Sequence, residues 1–258
     1  MELSAATRRR KAGRRMALAV AACLLATLSL IRADTEPPRT YTYAGTTASN
    51  GVRLHYMRTT PDRIELQAVA ANVAETKSYG INGGFFYEGD ILSIAVQNHR
   101  PVKGEPGQYG SGWFNVKYAR GTLVWDAAAN RLSVQAVRSA DELLVTDQAN
   151  YWAQGGVSMN LQDEASWTGE AAAQGLPLAD SLHMRSGMIY DEAGSLYLIV
   201  SPTPCTAEQF RTAILERIAP DLGKEGIFLD GDGSSQMRSA EISLPGDLRE
   251  VYQMIAVK

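Results

Sequence analysis

The chain after position 52 consists mainly of short, strand-like stretches, and the clearest of them has the two-residue alternation of apolar and polar residues that is typical of a half-buried β-strand. Residues 64–69 follow this alternation closely. Residues 195–200 are mostly apolar, and a short turn at 192–194 pairs them with residues 188–190 in a predicted hairpin. The chain is therefore predicted to be rich in strands.

A three-strand meander is predicted in the middle of the chain. Residues 112–118, 122–125 and 131–137 each have the composition of a strand, and turn-forming residues separate them. Strands that follow one another through short turns pair in an antiparallel arrangement, so an antiparallel sheet is expected here.

Helical patterns are few. The clearest helix begins at Thr206, which forms a capping-box pattern with Gln209, and Pro220 stops it. Two further short helices are expected over residues 70–78 and 140–145. Together with the strands, these patterns predict an α+β fold: a single mixed, strand-rich domain with a few helices packed on the sheet.

The N-terminal segment differs in kind from the rest of the chain. A cluster of arginine and lysine precedes an uncharged, mostly apolar run over residues 16–31. This order is typical of a secretory signal, and the run is shorter than the roughly 20 residues of a transmembrane helix. We expect a signal peptide or signal anchor over 1–33, a linker or extended lead-in over 34–50, and one domain over 51–258. The expected location is secreted or cell-envelope, either periplasmic or extracellular, with membrane attachment only through an uncleaved N-terminal segment.

Charge and cysteine content exclude some classes of function. After position 33 the chain carries 18 of its 25 basic residues and 27 of its 28 acidic residues, without a lysine or arginine cluster. A nucleic-acid partner is not expected, because such proteins carry a basic face. Cys205 is the only cysteine after position 33, which excludes an intrachain disulfide there, and the three histidines do not show the spacing of a zinc site.

A polar loop near the C-terminus is the strongest candidate for chemistry. The apolar run 226–229 predicts a buried strand, and residues 230–235 then supply glycine, carboxylate and hydroxyl groups. Glycines at alternate positions let a ligand approach the backbone closely. The loop is therefore predicted to bind or cleave a ligand, with Asp230 and Asp232 as its carboxylates.

Two further segments contain residues suited to binding. The Gly83–Gly84 pair follows Asn82 and precedes Phe85 and Phe86, so bare amides able to bind an anion lie beside aromatic rings able to stack on a sugar. A tight turn with core aromatics is the competing interpretation. Arg185, at the start of a predicted strand, is able to bind phosphate through two parallel hydrogen bonds, although an isolated arginine is more often a surface ion-pair partner.

Taken together, these three segments resemble the phosphodiester glycosidase family, whose bacterial members are often exported and exopolysaccharide-related. The family's Asn-Gly-Gly-Phe-Phe segment matches residues 82–86, its Arg-Thr/Ser-small segment matches residues 185–187, and its Leu-Asp-Gly-Gly-Gly-Ser segment matches residues 229–234. Order and spacing agree over roughly residues 55–258. One departure is that Asp232 stands where the family has the middle glycine of its triple.

The resemblance implies a hydrolase that cleaves a sugar from a glycosyl phosphodiester at the anomeric carbon. Asp230 would be the catalytic carboxylate, with Asp232 sharing its task, and Arg185 would bind the phosphate together with the glycine-loop amides. His183 is a further acid or base candidate. A phosphate-containing envelope glycan is the expected partner. The other residues of the three segments are expected to contact substrate: Asn82, Gly83, Gly84, Phe85, Phe86, Ser186, Gly231, Gly233, Ser234 and Ser235.

Two alternatives stay open at the level of sequence. Asp230, Asp232, Ser234 and Glu241 have the spacing of a calcium-binding loop, but the sixth position is Ser235 instead of glycine. The second alternative is a non-catalytic extracellular module that binds a glycan or calcium. The glycosidase chemistry requires no cofactor, and a bound calcium ion is compatible with the carboxylates without defined metal ligands.

Overall fold

A computed structural model gives the fold of the chain and describes residues 39–258. The signal segment predicted over 1–33 lies outside the described residues. No helix within 39–258 is long and apolar enough to cross a membrane.

Strands dominate the described part of the chain, as predicted, and two α-helices accompany them there. The helices are α1 (Trp167–Ala173) and α2 (Ala207–Arg217). The strands are β1 (Thr42–Thr47), β2 (Arg53–Thr59), β3 (Ile64–Ala71), β4 (Tyr79–Asn82), β5 (Phe86–Tyr87), β6 (Asp90–Ile91), β7 (Ala95–Gln97), β8 (Arg100–Pro101), β9 (Arg120–Asp126), β10 (Arg131–Val137), β11 (Tyr151–Gly155), β12 (Val157–Ser158), β13 (His183–Asp191), β14 (Leu196–Cys205), β15 (Lys224–Phe228), β16 (Met237–Arg238), β17 (Ser243–Leu244) and β18 (Val251–Val257).

The strands form three large antiparallel sheets and one small one. A six-stranded sheet has the order β1-β2-β14-β13-β15-β12, and two five-stranded sheets have the orders β10-β9-β11-β7-β8 and β17-β16-β4-β18-β3. The hairpin β5-β6 stands apart. The first and last strands of the third sheet in chain order, β3 and β18, pair with each other, so the C-terminus of the chain closes that sheet.

One hydrophobic core lies where the three large sheets meet. Leu123 of β9, Ile81 of β4 and Met188 of β13 are all fully buried within it. Burial of such side chains contributes roughly 1.5–3 kcal/mol each. This shared core fixes the sheets relative to one another, and with them the loops at their ends.

The six-stranded sheet is buried on both faces, as the period of two explains. On β14, Leu198 points into the central core, whereas Ile199 points into a second core under α2. Phe210 and Ile214 of α2 fill that second core. The predicted capping box is confirmed: the Thr206 side chain accepts from the Gln209 backbone amide, and the Gln209 side chain accepts from the Thr206 amide.

Several predicted elements are confirmed. The strand at 64–69 lies within β3, and the last two strands of the meander are β9 and β10. Residues 188–190 and 196–200 of the predicted hairpin lie within β13 and β14, with Ser195 just before β14.

Other predicted elements are wrong. Residues 70–78 were expected to be helical, but β3 continues to Ala71, and only Val73–Glu75 form a 3-10 turn, because pairing with β18 outweighs local helix propensity. Residues 140–145 contain only the 3-10 turn Ala140–Glu142. Residues 112–118 form no strand, because the Asn115 side chain binds the backbone of three neighbouring segments in place of a ladder.

Helix α1 and strand β1 are among the elements that the sequence did not predict individually. Helix α1 has no long apolar period in the sequence and was missed. Strand β1, Thr42–Thr47, lies in the segment that the sequence assigned to a linker or extended lead-in, and it pairs with β2 at the edge of the six-stranded sheet.

Candidate functional site

The three segments singled out in the sequence meet at one point between two sheets. Asn82 ends β4, Ser186 lies on β13, and Asp230 follows the end of β15. The Asn82 side-chain amide donates to the Ser186 hydroxyl oxygen (3.0 Å) and to the backbone carbonyl oxygen of Asp230 (2.8 Å). The Ser186 hydroxyl donates to the same carbonyl oxygen (2.6 Å).

Strand pairing explains why Asp230 reaches this point. β13 and β15 are antiparallel neighbours with Gly187 opposite Phe228, and the Leu229 amide still donates to the Ser186 carbonyl oxygen (3.0 Å). One residue later the Asp230 amide donates to the Gly83 carbonyl oxygen (3.2 Å). The buried strand ends in the polar loop, as the sequence predicted, and it brings Asp230 to the edge of the neighbouring sheet.

A pocket of about 210 Å³ opens beside Asp230. Two carboxylates, two guanidinium groups and one imidazole line it together with the aromatic ring of Phe85. Anionic, cationic and flat apolar groups thus share one small volume. The lining residues are Phe85, Leu176, Pro177, Leu178, His183, Arg185, Ser186, Phe228, Leu229, Asp230, Gly231, Asp232 and Arg249.

The carboxyl group of Asp230 has an unusual proton affinity. Burial raises its pKa to about 6, against the opposing effects of the nearby Ser234 hydroxyl and the positive charge of Arg249. Desolvation of this size is common at functional sites. Asn82 and Ser186 bind the backbone carbonyl oxygen of Asp230, whereas its carboxyl group lies beside the Ser234 hydroxyl and the Gly231 amide.

Asp232 lies in a contrasting environment. Its carboxylate binds His183 Nδ1 at 3.1 Å and lies 3.7 Å from Arg249 Nη2. The hydrogen bond from His183 lowers the pKa of Asp232, and the charge of Arg249 acts in the same direction. Two carboxylates two residues apart thus have pKa values shifted in opposite directions.

The backbone of Asp232 has φ +53°, in the left-handed region that favours glycine. Aspartate is one of the few other residues that adopts this region readily. The backbone therefore agrees with a glycine at this position in the family that the sequence resembles.

Arg185 lines the pocket but is largely occupied by the protein itself. Its Nε donates to the Cys205 carbonyl oxygen (3.1 Å), and its Nη2 donates to the carbonyl oxygens of Ser181 (2.9 Å) and Leu178. Within the described residues, Nη1 has no hydrogen-bond partner. Arg185 therefore ties the 178–181 segment to the sheet and has one nitrogen left for a ligand.

Arg249 is a site residue that the sequence did not reveal. It precedes β18, lines the pocket, and is held by a bidentate pair with Asp247. No motif surrounds it. Arg249 reaches the site because β18 pairs with β4, with Met254 opposite Asn82. This pairing is a long-range contact that no local sequence pattern indicates.

The glycine-pair amides do not face the pocket as anion donors. The Gly83 amide donates to the Gln253 backbone carbonyl oxygen (2.8 Å), and the Gly84 amide donates to Gln253 Oε1 (2.9 Å). The expectation that these amides bind phosphate is therefore corrected: Gln253 already satisfies both. A Cβ at position 83 would overlap the Gln253 side chain, which explains the glycine there.

The two phenylalanines have different surroundings. Phe85 lines the pocket, and the guanidinium carbon of Arg120 lies 4.6 Å from its ring centroid. Phe86 packs instead against Tyr252, with ring centroids 5.1 Å apart, and it is not among the lining residues. Of the two, Phe85 alone is placed to contact a ligand in this pocket.

The remaining residues of the 230–235 loop pack inside the protein, except for Gly231, which lines the pocket. Gly233 packs so closely on the Asp247 carboxylate that a Cβ would overlap it. Ser234 and Ser235 are buried and do not line the pocket, whereas Gly231 does.

The calcium-loop spacing is not assembled around one point. The Glu241 carboxylate accepts from the Tyr41 hydroxyl (3.2 Å) and pairs with Arg39 (3.3 Å). Residues 39–258 contain no group of three histidine, cysteine or acidic side chains arranged to hold a metal ion. A bound cation stays a prediction from the sequence.

No protein-family model matches the chain, and no curated protein matches it. Among solved structures, the chain resembles the catalytic domain of zebrafish N-acetylglucosamine-1-phosphodiester alpha-N-acetylglucosaminidase, auto-inhibited by its pro-peptide. The TM-score is 0.53 at 15% identity, over 86% of this chain and 84% of that chain. A hypothetical protein from Synechocystis has a TM-score of 0.45 at 12% identity, over 84% of this chain and 62% of that chain. The zebrafish domain and this chain have a distant fold relationship.

Proposed function

We propose that this chain is an exported hydrolase that cleaves a sugar from a glycosyl phosphodiester at the anomeric carbon. The observation that carries the proposal is the pairing, in one pocket, of the Asp230 carboxylate with two guanidinium groups, those of Arg185 and Arg249. The distant fold relationship to a phosphodiester glycosidase catalytic domain supports a hydrolase. The motif resemblance in the sequence supports the phosphodiester substrate.

The reaction needs few groups. The bond between the anomeric carbon and the phosphate oxygen breaks, the phosphate monoester leaves with the electron pair, and a water oxygen bonds to the anomeric carbon. The proton that this water loses passes to a carboxylate acting as base or to solvent. The leaving phosphate is a stable anion, so it needs cationic donors more than a proton. The sugar develops positive charge, which a nearby carboxylate stabilises as nucleophile, base or counter-charge.

Each role has a candidate in the pocket. Asp230 supplies the carboxylate in its ionised form. Arg249 and the Nη1 group of Arg185 supply cationic donors for the phosphate, in place of the Gly83 and Gly84 amides. Phe85 supplies an apolar ring for the sugar. A phosphate-containing envelope glycan is the substrate that agrees with an exported protein, and no cofactor takes part in these steps.

The test is turnover of chromogenic glycosyl phosphodiesters by the full chain, comparing wild type with Asp230→Asn. We expect kcat/KM to fall by roughly 10²–10⁴-fold in the variant, as for loss of a catalytic acid or base. Asp221→Asn removes the same charge from an exposed position outside the pocket and should keep wild-type turnover.

Two results would contradict the proposal. Wild-type rates in a folded Asp230→Asn variant would exclude Asp230 as the catalytic carboxylate. Retained glycan binding with no turnover of any phosphodiester by the wild type would instead identify a non-catalytic glycan-binding module.

A further inference from the structure

Asp232 occupies the position in the pocket where a ligand anion would otherwise meet the His183 imidazole and the Arg249 guanidinium group. Its carboxylate lies between His183 Nδ1 (3.1 Å) and Arg249 Nη2 (3.7 Å), and all three residues line the pocket. The Asp232 side chain is half exposed, so a ligand in the pocket is able to reach it. A bound anion and Asp232 would therefore share the same partners.

The charges that line the pocket nearly cancel. Arg185 and Arg249 are the guanidinium groups, and Asp230 and Asp232 are the carboxylates. Arg249 is further neutralised by Asp247, which holds it in a bidentate pair. The lining residues thus carry no surplus of guanidinium charge, and each negative charge of a ligand adds to its repulsion from Asp232. A doubly charged ligand is therefore repelled more strongly than a singly charged one.

We propose that Asp232 makes this pocket select a singly charged phosphodiester over a doubly charged phosphomonoester. This inference rests on the proposed function and names a consequence of it. The diester substrate carries one negative charge, whereas a phosphomonoester carries close to two near neutral pH. Cleavage therefore creates a product that Asp232 repels more strongly than the substrate, and product release follows from the charge of the site.

Binding of two small compounds tests this selectivity without any need for turnover. Methyl phosphate is the doubly charged probe and dimethyl phosphate the singly charged one, both titrated into the full chain by calorimetry at pH 8. In Asp232→Asn we expect methyl phosphate to bind about tenfold more tightly than in wild type, from the removal of one close like charge. The increase in the logarithm of the affinity for dimethyl phosphate should be about half as large, because this probe has half the charge.

Two further variants make the test specific. Asp232→Gly suits the left-handed backbone at this position and should give the same shift, so a folding defect of Asp232→Asn would not hide the effect. Asp221→Asn changes the net charge equally outside the pocket and should shift neither probe.

The outcomes separate this inference from the proposed function. Equal gains for both probes, or no binding of methyl phosphate by either Asp232 variant, would overturn the selectivity. If diester turnover occurs without the difference between probes, the inference fails and the proposed function stands. If the difference occurs but no diester is cleaved, the selectivity stands as a binding property and the proposed function fails.

Discussion

The side-chain amide of Asn82 donates to the backbone carbonyl oxygen of Asp230 at 2.8 Å, across 148 positions of sequence. Asn82 also accepts from the Gln236 amide through Oδ1 (3.1 Å). One buried side chain therefore fixes the start of the Asp230 loop and the segment that follows it. The carboxylate of Asp230 takes no part in this network, which leaves it available to the pocket.

Asn82→Ala should destabilise the fold and the site together. It removes donors from the Asp230 carbonyl oxygen and the Ser186 hydroxyl and leaves the buried Gln236 amide without its acceptor. We expect the free energy of unfolding to fall by about 2–4 kcal/mol, because each orphaned buried group costs about 1–3 kcal/mol. Urea denaturation of the wild type and the variant measures this change in the free energy of unfolding.

The control for that variant is Asn150→Ala, at an exposed turn position whose side chain has no hydrogen bond in the structure of residues 39–258. Its stability should stay within about 0.5 kcal/mol of wild type. A loss in Asn82→Ala no larger than in this control would show that the network does not hold the loop.

Local pattern was enough to predict β15 and part of β13, but not β4, β18 or the contacts among these strands. The apolar run before Asp230 predicted β15 and the loop at its carboxyl end, because burial and glycine chemistry are local properties. The role of Asn82 depends on which sheets meet, and the sequence alone assigned it to substrate. The same is true of Gly83 and Gly84, whose amides bind Gln253, a residue 169 positions after Gly84.

Stability should depend on pH through Asp230. Its pKa rises from 3.8 in the unfolded chain to about 6 in the folded one, so the folded state binds the proton more tightly. Folding is therefore penalised as pH rises from about 4 to about 6, and the full penalty is present above that range. Asp230→Asn carries no such penalty.

We expect Asp230→Asn to be more stable than wild type by about 1–3 kcal/mol at pH 8, with the difference shrinking toward pH 4. Thermal unfolding across pH 4–8 measures it. Asp221→Asn reports the generic effect of removing one negative charge. The same difference at pH 4 and pH 8 would contradict a raised pKa at Asp230.

Turnover of a phosphodiester should rise with pH and level off above a midpoint near 6. The reason is that the proposed role requires an ionised Asp230, whose pKa is raised to about 6. The measurement is kcat/KM of the wild type from pH 4 to pH 8. His183→Gln should keep this midpoint, which assigns it to Asp230 and not to the imidazole. A rate that falls as pH rises would indicate that Asp230 acts as a proton donor instead.

Two glycine variants should have opposite effects on stability. Gly83→Ala would drive a Cβ into the Gln253 side chain and disturb both amide hydrogen bonds, with an expected loss of about 1–3 kcal/mol. Gly169→Ala is its matched control, because Gly169 lies in α1 with open space around it. That variant should gain about 0.5–1 kcal/mol from helix propensity. Equal effects of the two variants would exclude Gln253 as the reason for Gly83.

Replacing each pocket arginine by lysine should separate structure from binding. Arg185→Lys removes the planar guanidinium group that donates hydrogen bonds to three backbone carbonyl oxygens. We therefore expect the free energy of unfolding to fall by about 1–3 kcal/mol, and turnover to fall as well. Arg249 is more exposed, and Arg249→Lys should change stability by less than about 1 kcal/mol.

Turnover should respond differently from stability in Arg249→Lys. We expect kcat/KM to fall by roughly 10–100-fold, because lysine does not keep both the Asp247 pair and a forked contact to phosphate. Arg100→Lys, at an exposed position on β8, is the control for the substitution itself. Since Arg249 is held by Asp247 and lies beside Asp232, unchanged turnover in a folded Arg249→Lys variant would leave Arg185 Nη1 as the guanidinium donor for the leaving phosphate.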